Sequence, residues 1–138
     1  MNPIRTVAVG FDGSHDAEQA VHWAARLCAT TGAHLKVIHA VGLLEHAGLS
    51  TQQPVVPENA LNIAYEAGLT PPDVDWSAVD GDPCSALLRV TGPPHHVDLL
   101  VVGTRGAGQH AGTVLGSTSL ELAEKSTVPV TVIPSGSA

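Results

Sequence analysis

The sequence predicts an α/β protein built on an open, doubly wound sheet of five parallel strands in the order 3-2-1-4-5, with helices on both faces. Short apolar, β-branched runs alternate with amphipathic helical patterns along the whole chain, as in parallel sheets. Two of these runs, Thr6–Phe11 and Leu99–Val102, are apolar nearly throughout, which is typical of strands buried on both faces. The 138 residues contain no repeat or linker, so we expect one domain over residues 1–138.

The first half of the chain predicts two strands and two helices. A helix begins after the turn at Asp12 and Gly13, because Ser14 is a favourable N-cap and apolar residues then recur at intervals of three and four. Asp16 suits the positive end of this helix, and Gly32 is a favourable stop. The predicted elements are a strand at 6–11, a helix at 17–28, a strand at 35–41 and a helix at 58–67.

The second half predicts three further strands that alternate with helices. Pro83 follows a turn and occupies a favourable first helical position, and Gly92 ends that short helix. The predicted elements are a strand at 74–79, a helix at 83–90, a strand at 97–102, a helix at 117–125 and a final strand at 128–133. Right-handed crossovers then place the carboxyl ends of the strands around one crevice.

Composition excludes several classes of partner and site. Six Lys and Arg against 13 Asp and Glu give a net charge of −7, which argues against duplex nucleic acid or an anionic membrane as a general partner. The two cysteines form no C-x-x-C pair and the eight histidines have no metal-ligand spacing, so no metal site is predicted. The chain shows no signal peptide and no apolar run of membrane-spanning length, and we expect a cytoplasmic location.

The most informative stretch runs from Val97 to Thr118. An apolar strand pattern enters a loop with five glycines, and the loop ends at Gly116, where a helical pattern begins. Glycine allows backbone to approach a ligand closely, and the unpaired N–H groups at a helix start carry partial positive charge. A strand, a glycine loop and a helix N-terminus in series predict an anion site, most often for phosphate.

Two familiar nucleotide motifs do not fit this loop. A P-loop requires a lysine for the terminal phosphates, and no lysine lies between Lys36 and Lys125. A dinucleotide fingerprint matches superficially at 106–111, but that motif should open the fold and be followed by an acidic residue about 20 positions later. The corresponding stretch, 126–133, has no acid and nearly ends the chain.

A third pattern fits the loop. Gly103, Gly106 and Gly116-Ser117 form G-x2-G-x9-G-[ST], and Val9-Gly10-Phe11-Asp12-Gly13-Ser14 follows the first strand. With these motifs the chain resembles the universal stress protein family in its nucleotide-binding branch. The resemblance spans nearly the whole chain, and its other parts are Thr31–Leu35, Gly81–Pro83, Asp98–Gly106 and Val128–Val130.

The resemblance implies a Rossmann-like fold that binds ATP, or a related adenine nucleotide, between the first and fourth strands. Mg²⁺ would accompany the triphosphate, whose charge is otherwise poorly offset in an acidic protein. The implied roles are contact with the adenosine by Asp12, flanking of the base by Ala40 and Val102, close approach to the ribose by Gly103, and phosphate binding by Gly106, Gly116, Ser117 and Thr118.

Structural alternatives stay open for several of these residues. Gly103 and Gly106 could serve only a tight turn that needs positive φ. Asp12 could bond the turn backbone or cap the first helix, and Ser117 and Thr118 would cap their helix with or without a ligand. Cys84 lies in the first turn of a helix, where it is either a buried inert cysteine or a thiol whose pKa the helix dipole lowers.

The expected function is a nucleotide-dependent sensor or regulator of the stress response. No catalytic residue is assigned, because the titratable residues of the glycine loop, Arg105 and His110, have no identifiable partner. One alternative is a slow ATPase or autophosphorylating protein with Ser117 or Thr118 as acceptor, and another is a nucleotide-free dimeric interaction module. The resemblance implies a homodimer formed by antiparallel pairing of the final strand, Val128–Ile133, and a regulatory protein partner.

Overall fold

A single parallel sheet of five strands forms the centre of the protein. The computed structural model describes residues 3–41, 56–104 and 117–134. The strands are β1 (Thr6–Phe11), β2 (His34–Val41), β3 (Val74–Asp80), β4 (Leu99–Gly103) and β5 (Val130–Ile133). Their order in the sheet is β3-β2-β1-β4-β5, and all four pairings are parallel. The predicted fold class and strand order are therefore confirmed.

Helices cover both faces of this sheet. Within the described residues they are α1 (His15–Thr31), α2 (Glu58–Glu66), α3 (Pro83–Thr91) and α4 (Ser117–Lys125), with a 3-10 turn at Pro71–Asp73 before β3. Helices α1 and α2 pack on one face, and α3 and α4 pack on the other. No helix in these parts of the chain is both long and apolar enough to cross a bilayer.

The ends of α1 show why the chain turns where it does. The Ser14 Oγ accepts a hydrogen bond from the Ala17 N–H at 3.1 Å, which satisfies one of the unpaired donors of the first turn. At the other end Gly32 has φ +80°, a left-handed conformation that favours glycine, and its N–H donates to the Cys28 carbonyl at 2.8 Å. The predicted cap and stop of this helix are both confirmed.

The sheet separates two hydrophobic cores. Small residues on the buried face of α1 let this helix lie close to the strands; they are Ala17, Ala20, Ala24, Ala25 and Cys28. Opposite them are strand residues that point to the same face, including Val7, Val9, Leu35, Val37 and Val101. The second core lies under α3 and α4 and includes Ala8, Ile38, Leu87, Leu100, Val102 and Leu122. Aliphatic side chains dominate both cores, as the few aromatic residues require.

Two strands are shorter than the sequence predicts. β4 begins at Leu99 and not at Val97, and just before it the Asp98 Oδ2 accepts the N–H groups of Arg5 and Thr6 at 2.9 and 3.0 Å. β5 begins at Val130 and not at Val128. There the Ser126 Oγ both accepts from the Val128 N–H and donates to its carbonyl, which holds Val128 in a turn.

Candidate functional site

The sheet topology creates a crevice between β1 and β4. The chain leaves β1 through α1 toward β2 on one side, and it leaves β4 through α4 toward β5 on the other side. The connections that follow the two strands therefore diverge at the carboxyl ends of the strands, which is where doubly wound sheets bind their ligands. β1 ends at Phe11 and β4 at Gly103, so Asp12 and Thr104 border the crevice directly.

Asp12 shapes the turn at the β1 side of this crevice. Its Oδ1 accepts a hydrogen bond from the Ser14 N–H at 2.9 Å, and this bond orients Ser14 to cap α1. The turn-bonding role is therefore present in the structure. Contact of Asp12 with a nucleotide stays a prediction.

Gly103, at the β4 side, lies against the backbone of the first turn of α1. A Cβ placed on Gly103 would lie 2.7 Å from the Asp16 carbonyl oxygen and 3.0 Å from the Asp16 Cβ, closer than real Cβ atoms approach backbone. Its φ is not left-handed; the described glycines with positive φ are Gly13, Gly32, Gly68 and Gly81. The absence of a side chain at Gly103 is thus required by helix packing and not by a turn with positive φ. The approach of Gly103 to a ribose stays a prediction.

Three buried polar residues join the elements around the crevice. Asp16, Thr104 and Ser119 are 8%, 8% and 3% exposed. The Thr104 Oγ1 donates to the Asp16 Oδ2 at 3.2 Å, and the Ser119 Oγ donates to the Gly103 carbonyl at 2.7 Å. We call these three residues the buried polar cluster. It links the first turn of α1, the end of β4 and the first turn of α4.

Sequence reasoning missed this cluster. Asp16 had been interpreted only as a favourable charge at a helix start, and Thr104 and Ser119 were not singled out. The available signal was modest: a threonine directly after the glycine that ends β4, and a serine in the first turn of the following helix. Side-chain polarity alone does not distinguish a buried serine from an exposed helix cap.

The structure distributes the other predicted site residues as follows. Val102 is 5% exposed and packs in the core under α3 and α4, with its Cγ1 3.5 Å from a Cβ placed on Gly10. Thr118 is half-buried in the first turn of α4. Ala40 lies near the end of β2, opposite Val79 of β3, and Ser117 is the first residue of α4. Gly106 and Gly116 lie outside the described residues.

The two cysteines are buried thiols and not reactive ones. Cys84 is 2% exposed, and burial raises its pKa, with the Glu121 and Asp82 carboxylates adding to the increase. Burial also raises the pKa of Cys28 to about 11. Both side chains are protonated at neutral pH, so the inert alternative for Cys84 holds. In the parts of the chain that the structure describes, no group of three or more His, Cys, Asp and Glu could hold a metal ion.

The described Lys and Arg residues all lie away from the carboxyl ends of the strands, whereas carboxylates occur at both ends. Four carboxylates lie where strands end and helices begin: Asp12, Asp16, Asp80 and Asp82. The described Lys and Arg residues precede β1, lie early in β2 or occupy the C-terminal halves of helices; they are Arg5, Lys36, Arg26, Arg89 and Lys125. Helices in this fold run opposite to the strands, so these cations lie toward the amino ends of the strands. Among the described residues, those at the carboxyl ends of the strands therefore include carboxylates and no Lys or Arg.

The strand order and the crevice at the reversal of winding define a Rossmann-like α/β protein. The model of the Universal stress protein family matches residues 3–134. The chain therefore belongs to the universal stress protein family, as its motifs had indicated.

Relatives of known sequence agree with this assignment. The chain is 28% identical over 153 residues to Universal stress protein Rv1996 of Mycobacterium tuberculosis, covering 93% of this chain and 47% of that protein. It is 27% identical over 143 residues to Universal stress protein Rv2624c of the same organism, covering 96% of this chain and 49% of that protein. The chain thus spans about half the length of these curated relatives.

Solved structures of similar proteins show the same fold over nearly the whole of both chains. A universal stress protein crystallised in complex with cAMP is 30% identical, with a TM-score of 0.75 and coverage of 96% of this chain and 98% of that chain. A universal stress protein from Archaeoglobus fulgidus in complex with dAMP is 18% identical, with a TM-score of 0.65 and coverage of 96% and 99%. The second likeness bears on the fold alone.

Proposed function

We propose that this protein binds an adenine nucleotide in the crevice between β1 and β4 and acts as a nucleotide-dependent sensor or regulator in the stress response. The observation that carries the proposal is the convergence of the carboxyl ends of β1 and β4 with the N-termini of α1 and α4. Helix N-termini present unpaired N–H groups to anions. Further support comes from the similar protein, 30% identical over nearly the whole of both chains, that was crystallised with cAMP.

The phosphate end of the ligand would lie at the start of α4. Ser119 is buried, with 3% exposure, whereas Thr118 in the same turn is half-buried. Thr118 would therefore bind phosphate together with Ser117, Gly116 and Gly106, through hydroxyl and backbone N–H groups. This set needs no lysine, in keeping with the lysine-free segment between Lys36 and Lys125.

The nucleoside end would lie on the β1 and β2 side. In this proposal Asp12 contacts the adenosine, Ala40 and Val102 flank the base, and Gly103 passes close to the ribose. Because Asp12 already holds the Ser14 N–H through Oδ1, its carboxylate has a fixed orientation before the ligand arrives. Fixed polar groups bind with a smaller loss of side-chain entropy.

The described carboxylates at the crevice would influence which form of the ligand binds. Asp12 and Asp16 border the site and would repel a free triphosphate. ATP would therefore bind as its Mg²⁺ complex, whose charge is lower, whereas a singly charged cyclic monophosphate needs no metal ion. The metal is carried by the triphosphate in this proposal and requires no ligand set of its own.

We also propose that two copies of the chain pair through β5. β5 is the last strand in the sheet order and pairs with β4 on one side. Val130, Thr131 and Val132 are half-buried, and an unpaired strand edge is a ready template for a second copy. Thr131→Lys, a charged substitution on this edge, should shift the mass in solution from a dimer toward the 14.1 kDa of one chain. A wild-type protein that sediments as a monomer at high micromolar concentration would refute the pairing.

Nucleotide content and affinity test the main proposal. The purified, folded protein is denatured and any released nucleotide is identified by mass spectrometry, and calorimetry then measures cAMP, AMP and ATP with and without Mg²⁺. We expect binding of cAMP without metal and binding of ATP only with Mg²⁺. Absence of heat and of a thermal shift with every one of these ligands, at millimolar concentration, would refute nucleotide binding.

A further inference from the structure

We propose that Ser119 is a positioning residue for nucleotide binding, which fixes the first turn of α4 relative to the end of β4. The inference rests on the proposed function, because these two elements flank the segment expected to hold the phosphates. Ser119 is not among the residues expected to touch the ligand. Its role would be to set the geometry of those that do.

The position of Ser119 allows one side chain to join the two ends of a 12-residue segment. Gly103 and Thr104 are the last residues before 105–116, and Ser119 is the third residue of the helix that follows. The Ser119 Oγ lies 2.7 Å from the Gly103 carbonyl oxygen and 3.4 Å from that of Thr104. One hydroxyl proton serves one acceptor at a time, so the shorter contact to Gly103 is the principal bond.

The β4 end of this bond is itself held firmly. The Thr104 Oγ1 donates to the Asp16 Oδ2 at 3.2 Å, and the Thr104 N–H donates to the Ile133 carbonyl at 3.1 Å. Gly103 packs against the Asp16 backbone with no room for a Cβ. The end of β4 therefore has three attachments, to α1, β5 and α4, and Ser119 supplies the one to α4.

This arrangement gives the Ser119 hydroxyl a role in positioning the first turn of α4. Without the bond, the first turn of α4 can shift relative to β4, and the N–H groups at its start lose their alignment toward a phosphate. Hydrogen bonds weaken steeply as their angles depart from linearity. Ser119→Ala should accordingly weaken nucleotide binding about tenfold, a loss on the scale of one neutral intramolecular hydrogen bond.

Thr91 offers a matched control. It is 1% exposed, and its Oγ1 donates to the Leu87 carbonyl at 2.7 Å, the same donor, acceptor type and length as in Ser119. It is the last residue of α3 and lies toward the amino ends of the strands, away from the crevice. Thr91→Val and Ser119→Ala each remove one buried hydroxyl bond, so both should lower the urea midpoint, but only Ser119→Ala should change the affinity.

The experiment measures cAMP binding by calorimetry and unfolding by urea for the full-length wild type and each variant. We expect about tenfold weaker cAMP binding for Ser119→Ala and less than a twofold change for Thr91→Val. Thr104→Val should weaken binding in the same direction, whereas Thr104→Ser, which keeps the hydroxyl, should retain it. If Ser119→Ala does not fold, Ser119→Cys, which nearly keeps the size of the side chain but is a weak donor, carries the test.

The possible failures are distinguishable. Equal cAMP affinities of wild type and Ser119→Ala would overturn the positioning role and leave nucleotide binding intact, whatever Thr104→Val does. A weakening by Thr91→Val as large as that by Ser119→Ala would also overturn it, because the effect would then follow general destabilisation. If the wild type binds none of cAMP, AMP and Mg²⁺-ATP, the proposed function fails and the positioning role fails with it.

Discussion

Substituting Gly103 by alanine tests the close approach of α1 to β4, on which the shape of the crevice depends. The added Cβ would lie 2.7 and 2.8 Å from the carbonyl oxygen and carbon of Asp16, and ordinary contact needs about 3.4 Å or more. The first turn of α1 must therefore move by several tenths of an ångström. Backbone cannot rotate away as a side chain can, so we expect overpacking to lower the free energy of unfolding by about 2 kcal/mol.

Gly10→Ala is the matched control for this prediction. The nearest atom to its added Cβ is the Leu87 Cδ1 at 3.1 Å, the end of a flexible side chain that can adjust. We expect a change within about 1 kcal/mol of zero for this variant. Urea unfolding monitored by circular dichroism gives both values, provided that the slope with denaturant is unchanged. If Gly103→Ala is no less stable than Gly10→Ala, the reasoning from the Asp16 contact is wrong.

Three further predictions follow from single observations. Bonds from the Arg5 and Thr6 N–H groups hold the pKa of Asp98 below its usual value, so its stabilisation is present above about pH 4 and is lost as the pH falls further. Asp98→Asn should therefore be less stable than wild type at pH 7, with the difference shrinking below pH 4 in urea titrations. Both cysteine thiols should react with an aromatic disulfide reagent only as fast as the chain unfolds, and rapid reaction of the native protein would contradict their burial. If the protein is a sensor, incubation with γ-labelled ATP should release no labelled phosphate. Steady phosphate release that Gly116→Ala abolishes would instead support the slow ATPase.

The order of strands and helices could be predicted because the signals are local. β1 and β4 are apolar runs, the start of α1 is marked by Ser14 and its end by Gly32, and each signal lies within a few residues of the feature it determines. Parallel strands joined by helices then leave few topologies. The predicted starts of β4 and β5 were two residues too early, because the apolar pattern continues through residues whose neighbours Asp98 and Ser126 bond to backbone just before each strand.

The position of the candidate site could be predicted from the sequence, but the contacts that hold its residues in place could not. That the ends of β1 and β4 should meet follows from topology, so Asp12 and Gly103 could be placed there from the sequence. The sign of the pKa shift of Cys84 could not be predicted, since it depends on burial under α4 and on Glu121, a residue of another helix. The position of the described Lys and Arg residues, away from the carboxyl ends of the strands, likewise emerged only when the strand directions were known.

The sequence by itself determined the family, the fold and the edge of the sheet where a ligand would bind, because turn residues and apolar periodicity act over short distances along the chain. Tertiary structure alone decided that Gly103 is required by a neighbouring helix and that Ser119 is buried. The physical reason is distance in sequence: the Thr104 hydroxyl meets a carboxylate 88 residues away. Contacts of that kind produce no periodic pattern in the sequence, since they depend on how the two layers of helices pack against the sheet.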